Sequence, residues 1–285
     1  VSAAILSGRT MSTALKTELR EDVERYVQCY DQAPGLVIVR VEGDAASSVY
    51  SKAILKLAAN LGVRAELELL PAETSAAELR AVLVRLNDDA RVHGIIVQMP
   101  LPPHLPQEIV ANTISPAKDI DGISPVSVGN LCLGLPSFQP STAAAVMEML
   151  ERSQTPLEGQ HVVVLGRSNV VGKPLALLLL QKHATVTICH SRTRDLASFT
   201  RQADILVAAV GRARMVTAEM VRPGATVIDV GINAVPEGGI VGDVDFASVE
   251  TVAGAVTPTP GGVGPLTNVL LLKQCIRAAW QQAAH

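Results

Sequence analysis

The segment His161-Val-Val-Val-Leu165 reads as a buried strand and runs directly into Gly166-Arg-Ser-Asn-Val-Val-Gly172-Lys-Pro174 and an apolar helical stretch, Leu175 to Gln181. A tight turn between a parallel strand and a helix presents backbone N–H groups and the positive end of the helix dipole, which suits a pyrophosphate. The glycine spacing is not G-x-G-x-x-G, so a plain strand-to-helix connection remains the alternative at this point. The next strand ends in His190-Ser191-Arg192. An acidic residue about 20 positions beyond the turn would take a ribose 2′-hydroxyl, as in NAD; a hydroxyl followed by an arginine suits a 2′-phosphate instead. Arg167, inside the turn, carries a second guanidinium, whose fork of donors matches phosphate oxygens. This charge logic favours NADP over NAD, against the alternative that the arginines are solvated rim residues.

A second group of residues needs a different chemistry. Asp121, just before Gly122, is either a turn-forming carboxylate or an acceptor for paired N–H donors. Thr257-Pro-Thr-Pro260-Gly-Gly-Val-Gly-Pro265 is a run whose missing side chains let backbone approach a flat ligand, or simply a tight loop. Tyr50 and Gln98, taken singly, read as a core tyrosine with a satisfied hydroxyl and a strand-end amide.

The elements that must carry these residues alternate in type. A helix is expected over Thr10 to Tyr30 from Leu15, Leu19 and Val23, then a strand at Leu36 to Val41 and a helix from Ser48 to Leu61 closed by Gly62. A strand at Arg64 to Leu70, a helix from Ser75 to Asp88 and a buried strand at Gly94 to Gln98 continue the pattern, which implies a parallel sheet. Between Pro100 and Pro140 the texture turns to Pro, Gly, Ser and Asn, which reads as functional loop and domain junction. Beyond a helix at Thr142 to Arg152, strands near His161 to Leu165, Thr185 to His190, Ile205 to Val210 and Thr226 to Val230 make a second α/β unit. A last helix, about Leu266 to Ala284, has apolar positions at Leu266, Val269, Leu270, Ile276 and Trp280 and is expected to return to the first domain. The expected division is therefore 1–140 plus 266–285, and 141–265, consistent with two domains for 285 residues.

Composition narrows the partners. With 24 basic and 27 acidic residues the net charge is −3, and only seven side chains are aromatic, so neither a polyanion-binding surface nor a base-stacking platform is expected. Hydrophobic residues make up 48%, yet no run approaches a membrane span. No secretory pattern is seen at Val1 to Thr10, and Cys29, Cys132, Cys189 and Cys275 are widely separated without a zinc-like spacing. These features lead us to expect a cytoplasmic protein with reduced thiols and no metal site.

Six islands now stand in order: Tyr50; Val97-Gln98-Met99-Pro-Leu-Pro102; Lys118-Asp119-Ile-Asp121-Gly122; Gly166-Arg-Ser-x-x-Val-Gly-x-Pro174; Val227-Ile-Asp-Val-Gly-Ile-Asn233; and Thr257 to Pro265. Together they resemble the bifunctional methylenetetrahydrofolate dehydrogenase/methenyltetrahydrofolate cyclohydrolase family over essentially the whole chain. The resemblance implies two α/β domains flanking a cleft, an N-terminal parallel-sheet substrate domain and a Rossmann-like NAD(P)-binding domain, in a homodimer acting on tetrahydrofolate one-carbon derivatives with NADP. It further implies catalytic roles for Tyr50, Gln98 and Asp121, and folate contacts from these and from Val97, Met99, Pro260, Gly261, Gly262, Val263 and Gly264. Cofactor contacts are implied for Gly166, Arg167, Ser168, Ser191, Arg192 and Ile232.

One departure bears on chemistry. The family pattern is Tyr-x-x-x-Lys, with the lysine handling protons in the cyclohydrolase step, and here the fourth residue after Tyr50 is Ile54. At about 100° per residue, Lys52 and Lys56 lie about 200° and 240° from Tyr50, so neither shares its face. Hydride transfer demands mainly alignment of two ligands, whereas water addition must dispose of a proton, where a positioned base contributes roughly 10²–10⁴-fold. The expectation is an NADP-dependent dehydrogenase with weak or absent cyclohydrolase activity. A fully bifunctional enzyme using another base, and a non-catalytic paralogue that binds folate or dinucleotide, are the competing readings.

Overall fold

Short strands, most of them rich in valine and isoleucine, alternate with helices along the chain and form the parallel sheets. The computed structural model describes residues 2–236 and 238–284. The first elements are β1 (Ala4–Ile5), α1 (Gly8–Tyr30), β2 (Gly35–Val41), α2 (Ala45–Leu61), β3 (Arg64–Leu70), α3 (Ala76–Asp88) and β4 (Gly94–Val97). The two short helices α4 (Glu108–Thr113) and α5 (Pro125–Leu133) follow. The chain then continues through α6 (Ser141–Arg152), β5 (His161–Leu165), α7 (Gly172–Gln181), β6 (Thr185–Cys189), α8 (Leu196–Thr200) and β7 (Ile205–Ala208). It ends with β8 (Thr226–Asp229), β9 (Asn233–Ala234), β10 (Ile240–Val241), α9 (Phe246–Val249), β11 (Ala255–Val256) and α10 (Gly264–Ala283).

Two units result. One comprises Ala14–Gln139 with the residues from Asn268 onward; the other comprises the residues up to Thr13 with Pro140–Thr267. The sequence-based boundary put residues 1–13 with the first domain, whereas β1 pairs in parallel with β11 in the sheet of the second unit. A two-residue strand carries no periodicity, and its partner lies some 250 residues away in the chain.

In the first unit the sheet order is β3-β2-β4, all parallel. Val37, Val39 and Val41 of β2 pack with Ile95 and Val97 of β4 and with Leu79 and Leu83 of α3 on one face. Pleating turns Leu36, Ile38 and Arg40 to the other face, toward α10, whose Cys275 Sγ donates to Gly35 O. Helix α2 buries Ser47, Ser51, Ile54, Ala58 and Leu61, a four-three repeat that defines one helical stripe. Asp44 caps its start by accepting from Ser47 N at 2.7 Å, and Gly62, at φ 78°, closes its end in the left-handed conformation. Tyr26 of α1, Trp280 of α10 and His93 form an edge-on aromatic cluster behind the sheet, with ring centroids 5.2 and 5.9 Å from Tyr26.

The stretch expected to be loop between Pro100 and Pro140 contains α4 and α5. Ser124 caps α5, a proline opens it and Gly134 ends it, but helices of six and nine residues are too short to register as a period.

In the second unit six parallel strands run in the order β1-β11-β8-β7-β5-β6. From β5 the chain goes outward to β6 on one side and then back to β7 on the other, so β5 and β7 flank a topological switch point. In a doubly wound sheet the crevice beyond the carboxyl ends of such strands is where a ligand binds. The observed strands end one or two residues before the expected limits at His190, Val210 and Val230, where the backbone leaves the ladder.

Candidate active site

The carboxyl end of the first unit's sheet gathers the chemistry-bearing residues implied for substrate. Gln98 continues β4, donating its backbone N–H to Val39 O at 2.9 Å, and its side chain is buried. The segment Lys118–Asp119 lies alongside β4, with Ile95 donating to Lys118 O at 2.8 Å and a parallel bridge between Ile95 and Asp119. The chain turns directly after that bridge, with Gly122 N donating to Asp119 O at 2.9 Å, so Asp121 sits in the turn at this end of β4. The loop holding Asp121 is anchored by the buried Asp119 carboxylate, which accepts from Ile123 N (3.0 Å), Ser124 N (2.8 Å) and Ser127 Oγ (2.6 Å).

Tyr50 enters from α2. The first turn of that helix is tied to the strand-end loop by Ser47 Oγ, which donates to Met99 O at 3.3 Å. Burial pushes the Tyr50 hydroxyl's pKa up, and the nearby negative charge of Asp121 adds to the shift. Tyr50, Gln98 and Asp121 are thus brought together at one end of one sheet, with Val97 buried and Met99 40% exposed beside them.

Position 54 is where the structure refines the helical-wheel expectation. Ile54 is 0% exposed while Tyr50 is 37% exposed, because the roughly 40° offset between them rolls Ile54 into the sheet-facing stripe. Lys52 and Lys56 are both exposed, on the side of α2 away from that stripe. Lys118 is buried, but its Nζ donates to Leu86 O (3.1 Å) and Asp89 O (2.8 Å), so it serves as a clamp on the end of α3. No lysine replaces the missing one from these neighbouring positions.

The second unit supplies the turn implied for the cofactor. Gly166 follows β5 at φ 126°, and a Cβ there would run into the carbonyl oxygen of Ala209, which follows β7. At Gly172 a Cβ would collide with Gly166 O and stand 2.6 Å from its carbonyl carbon. The turn is therefore held against the switch point by backbone-to-backbone contact that only glycine permits. Ser168 Oγ accepts from Val171 N at 3.1 Å and so caps the turn itself.

A cavity of about 330 Å³ opens here, lined by Gly166, Arg167, His190, Ser191, Thr193 and Arg212, among others. Arg167 and Ser191 line it, and Arg192, next in the chain, is exposed. Arg212 also lines the cavity, reaching it from the loop after β7. Sequence reasoning missed it because the signal used was distance in sequence from the glycine turn. That loop is fixed by the buried Asp243 carboxylate, which accepts from Val210 N (2.6 Å), Gly211 N (3.0 Å) and Arg212 N (2.9 Å). Burial raises the pKa of neighbouring Asp229 despite N–H donors from Asp243, Val244 and Gly231, and the Asp243 charge adds to the rise. Ile232 is 65% exposed just beyond β8. Among the lining residues there is no carboxylate, two guanidinium groups and one serine hydroxyl, which fits a phosphorylated dinucleotide.

The run from Pro260 to Gly264 belongs to the second unit. It packs on the start of α1, where Arg9 N donates to Gly261 O at 3.3 Å and a Cβ on Gly8 would meet Gly262 O. Val263 is buried, whereas Pro260 and Gly264 are exposed.

Comparison with known proteins decides the family. Residues 6–121 match the tetrahydrofolate dehydrogenase/cyclohydrolase catalytic domain, and residues 140–283 match the NAD(P)-binding domain of the same family. The chain belongs to the tetrahydrofolate dehydrogenase/cyclohydrolase family. It is 49% identical over 284 residues to the bifunctional protein FolD of Roseiflexus sp. (strain RS-1), covering 100% of this chain and 99% of the relative. Among solved structures, the bifunctional FolD methylenetetrahydrofolate dehydrogenase/cyclohydrolase of Campylobacter jejuni superposes with a TM-score of 0.96 at 38% identity, covering 98% of this chain and 99% of that one. The Trypanosoma brucei FolD, solved in complex with NADP cofactor and an inhibitor, gives 0.95 at 38% identity with both chains fully covered. Within this tetrahydrofolate dehydrogenase/cyclohydrolase framework, the sheet end with Tyr50, Gln98 and Asp121 lies in the catalytic-domain match, and the glycine turn lies in the NAD(P)-binding match.

Proposed function

We propose that this protein oxidises 5,10-methylenetetrahydrofolate to 5,10-methenyltetrahydrofolate with NADP⁺, and that it hydrolyses the methenyl product to 10-formyltetrahydrofolate weakly or not at all. The observation that carries the second half is the complete burial of Ile54 beside an intact Tyr50, Gln98 and Asp121. The unit containing β2, β3 and β4 binds the folate, the unit containing β5 to β8 binds NADP, and the enzyme works as a homodimer.

Each residue has a stated task. Asp121 accepts hydrogen bonds from the amino-pyrimidinone edge of the pterin, where two N–H groups point the same way. Tyr50 stacks on the folate; a hydroxyl with a raised pKa remains a neutral donor at every physiological pH. Gln98 stands near the reacting carbon, and Val97 and Met99 form the apolar floor beside it. Arg167, Ser191 and Arg212 hold the 2′-phosphate, with Gly166 and Ser168 shaping the turn under the pyrophosphate and Arg192 and Ile232 flanking it. NADP⁺, when bound, supplies the two-electron acceptor.

The two reactions load these residues differently. Oxidation breaks one C–H bond with its electron pair and leaves a resonance-stabilised amidinium, so alignment is the main demand. Water addition to that carbon produces a carbinolamine and releases a proton, which a side chain must take. Ile54 has no group to take it, and Lys52, Lys56 and Lys118 are turned elsewhere.

The test is to mix the purified protein with methylenetetrahydrofolate and NADP⁺ and follow NADPH, methenyltetrahydrofolate and formyltetrahydrofolate separately, with uncatalysed hydrolysis subtracted. Methenyl product accumulating in step with NADPH is the expected result. Formyl product keeping pace with NADPH would overturn the hydrolysis half, and folate binding without turnover would overturn the enzyme reading.

A further inference from the structure

Arg40 is a charged residue in the middle of an apolar strand, Gly-Leu-Val-Ile-Val-Arg-Val. Its register places it at the site. Across the sheet it pairs with Leu69 of β3, and on the other side Val39 pairs with Val97, so the next step sets Arg40 level with Gln98. Val39 and Val97 belong to the α3-facing core, and alternation turns Arg40 and Gln98 together to the opposite face. That face at that end carries the first turns of α2, where Ser47 and Ser51 are buried and Tyr50 emerges. Leu69, Arg40 and Gln98 thus follow one another along the carboxyl edge of the sheet.

A second observation is independent of this placement. The Arg40 side chain is half-buried, and its Nε is fully shielded with no hydrogen-bond partner among the described residues. A shielded donor without an acceptor is costly, and Arg40 is the one charged residue of an otherwise apolar strand; the half-buried side chain leaves part of its guanidinium accessible, and it is there that an acceptor from outside the chain would offset the cost of holding the charge.

We propose that Arg40 is a substrate-binding residue, donating to an oxygen acceptor on the pterin ring of the folate from β2 and so placing a fixed positive charge where α2 offers only Ile54. The inference rests on the folate reading above. It is also consistent with that reading's division of activities: a guanidinium binds and orients but stays protonated, so it cannot take a proton from water.

The experiment compares wild type with Arg40→Met, which keeps the length and apolar stem of the side chain, and with Arg40→Lys, by titrating tetrahydrofolate and NADP⁺ separately in a calorimeter and by thermal melting. Arg40→Met is expected to weaken tetrahydrofolate binding at least about tenfold, leave NADP⁺ binding unchanged and raise the melting temperature, because the shielded donor is gone. Arg40→Lys is expected to fall between the two in folate affinity. Unchanged folate affinity in Arg40→Met, with wild type binding normally, would mean that Arg40 holds only a solvent molecule and would overturn this inference alone. A lowered melting temperature with both ligands weakened together would assign it a structural role and overturn it as well. Failure of wild type to bind tetrahydrofolate would instead remove the folate reading itself.

Discussion

Ile54→Lys puts the missing proton carrier back on α2, and its consequences can be worked from the packing. Ile54 is fully buried, so the substitution removes a filled core position and inserts an amine into a desolvated place. The most that neutralising the amine can cost at pH 7 is its distance from the ordinary lysine pKa, about 3.4 units or ~4.6 kcal/mol. Proximity to the Tyr50–Asp121 pair lowers that cost by favouring the ammonium form, since Asp121 is near enough to act on Tyr50 electrostatically. A destabilisation of roughly 2–5 kcal/mol is within what a domain of 5–15 kcal/mol can absorb. The return is chemical: on the proposed reading, a lysine whose pKa burial pulls down toward neutrality is the group that hydrolysis needs, and a positioned base is worth roughly 10²–10⁴-fold. The assay is the ratio of formyl to NADPH formed in one reaction mixture, measured from pH 6 to 9, with Ile54→Met as a control of similar volume and no base. Formyl production should rise at least about a hundredfold in Ile54→Lys, along a limb that titrates below the ordinary lysine range, and should not rise in Ile54→Met. A cooperatively folded Ile54→Lys that keeps dehydrogenase activity and gains no hydrolysis would refute the argument that position 54 decides the second reaction.

Three further outcomes follow from other parts of the structure. Gly172→Ala forces a Cβ to within 2.6 Å of the Gly166 carbonyl carbon and 2.9 Å of Arg167 N, so the turn must shift by about 1 Å; the KM for NADP⁺ should rise at least about tenfold with the folate KM little changed, read by steady-state kinetics. Asp119→Asn replaces one acceptor oxygen by a donor facing N–H or O–H groups, which should cost roughly 1.5–3 kcal/mol in a urea melt and raise the folate KM through the displaced Asp121 loop. His93 accepts from Gly35 N at Nδ1 (2.8 Å), so its proton sits on Nε2 facing Tyr26 Oη (3.3 Å), and burial, then Lys118 and Arg64, hold its pKa below the ordinary value of 6.5. The folded state thus resists protonating a ring that the unfolded chain protonates freely. Stability attached to His93 is fully present above pH 6.5 and is lost as the pH falls from there toward the folded pKa, at up to about 1.4 kcal/mol per unit. The urea midpoint of wild type should drop more steeply between pH 7 and 5.5 than that of His93→Gln, and parallel curves would contradict the assignment.

Much of this was legible in the chain itself. Strands at Arg64–Leu70 and His161–Leu165 have the limits expected from their apolar runs, because each is bounded by a polar or glycine turn that ends the ladder locally. The α3 cap at Ser75, whose Oγ accepts from Glu78 N while the Glu78 carboxylate accepts from Ser75 N, is likewise written in adjacent residues. Tyr50, Gln98, Asp121 and the glycine turn could be found as islands, and the loss of a proton carrier at Ile54 could be read by counting along one helix. Pairings between distant segments could not. The two-residue strands β1 and β11 acquire meaning only by pairing, β11 with β8 and β1 with β11, and residues 1–13 join the second unit for that reason. Arg212 reaches the cavity beyond β5 because β7 lies beside β5, not because of any spacing from the glycine turn. Arg40 stands beside Gln98 through a register set by backbone hydrogen bonds between strands more than fifty residues apart. Local sequence determines which groups exist and what helix or strand carries them; the docking of strands and helices, which depends on long-range hydrogen bonding and burial, decides which of those groups share a site.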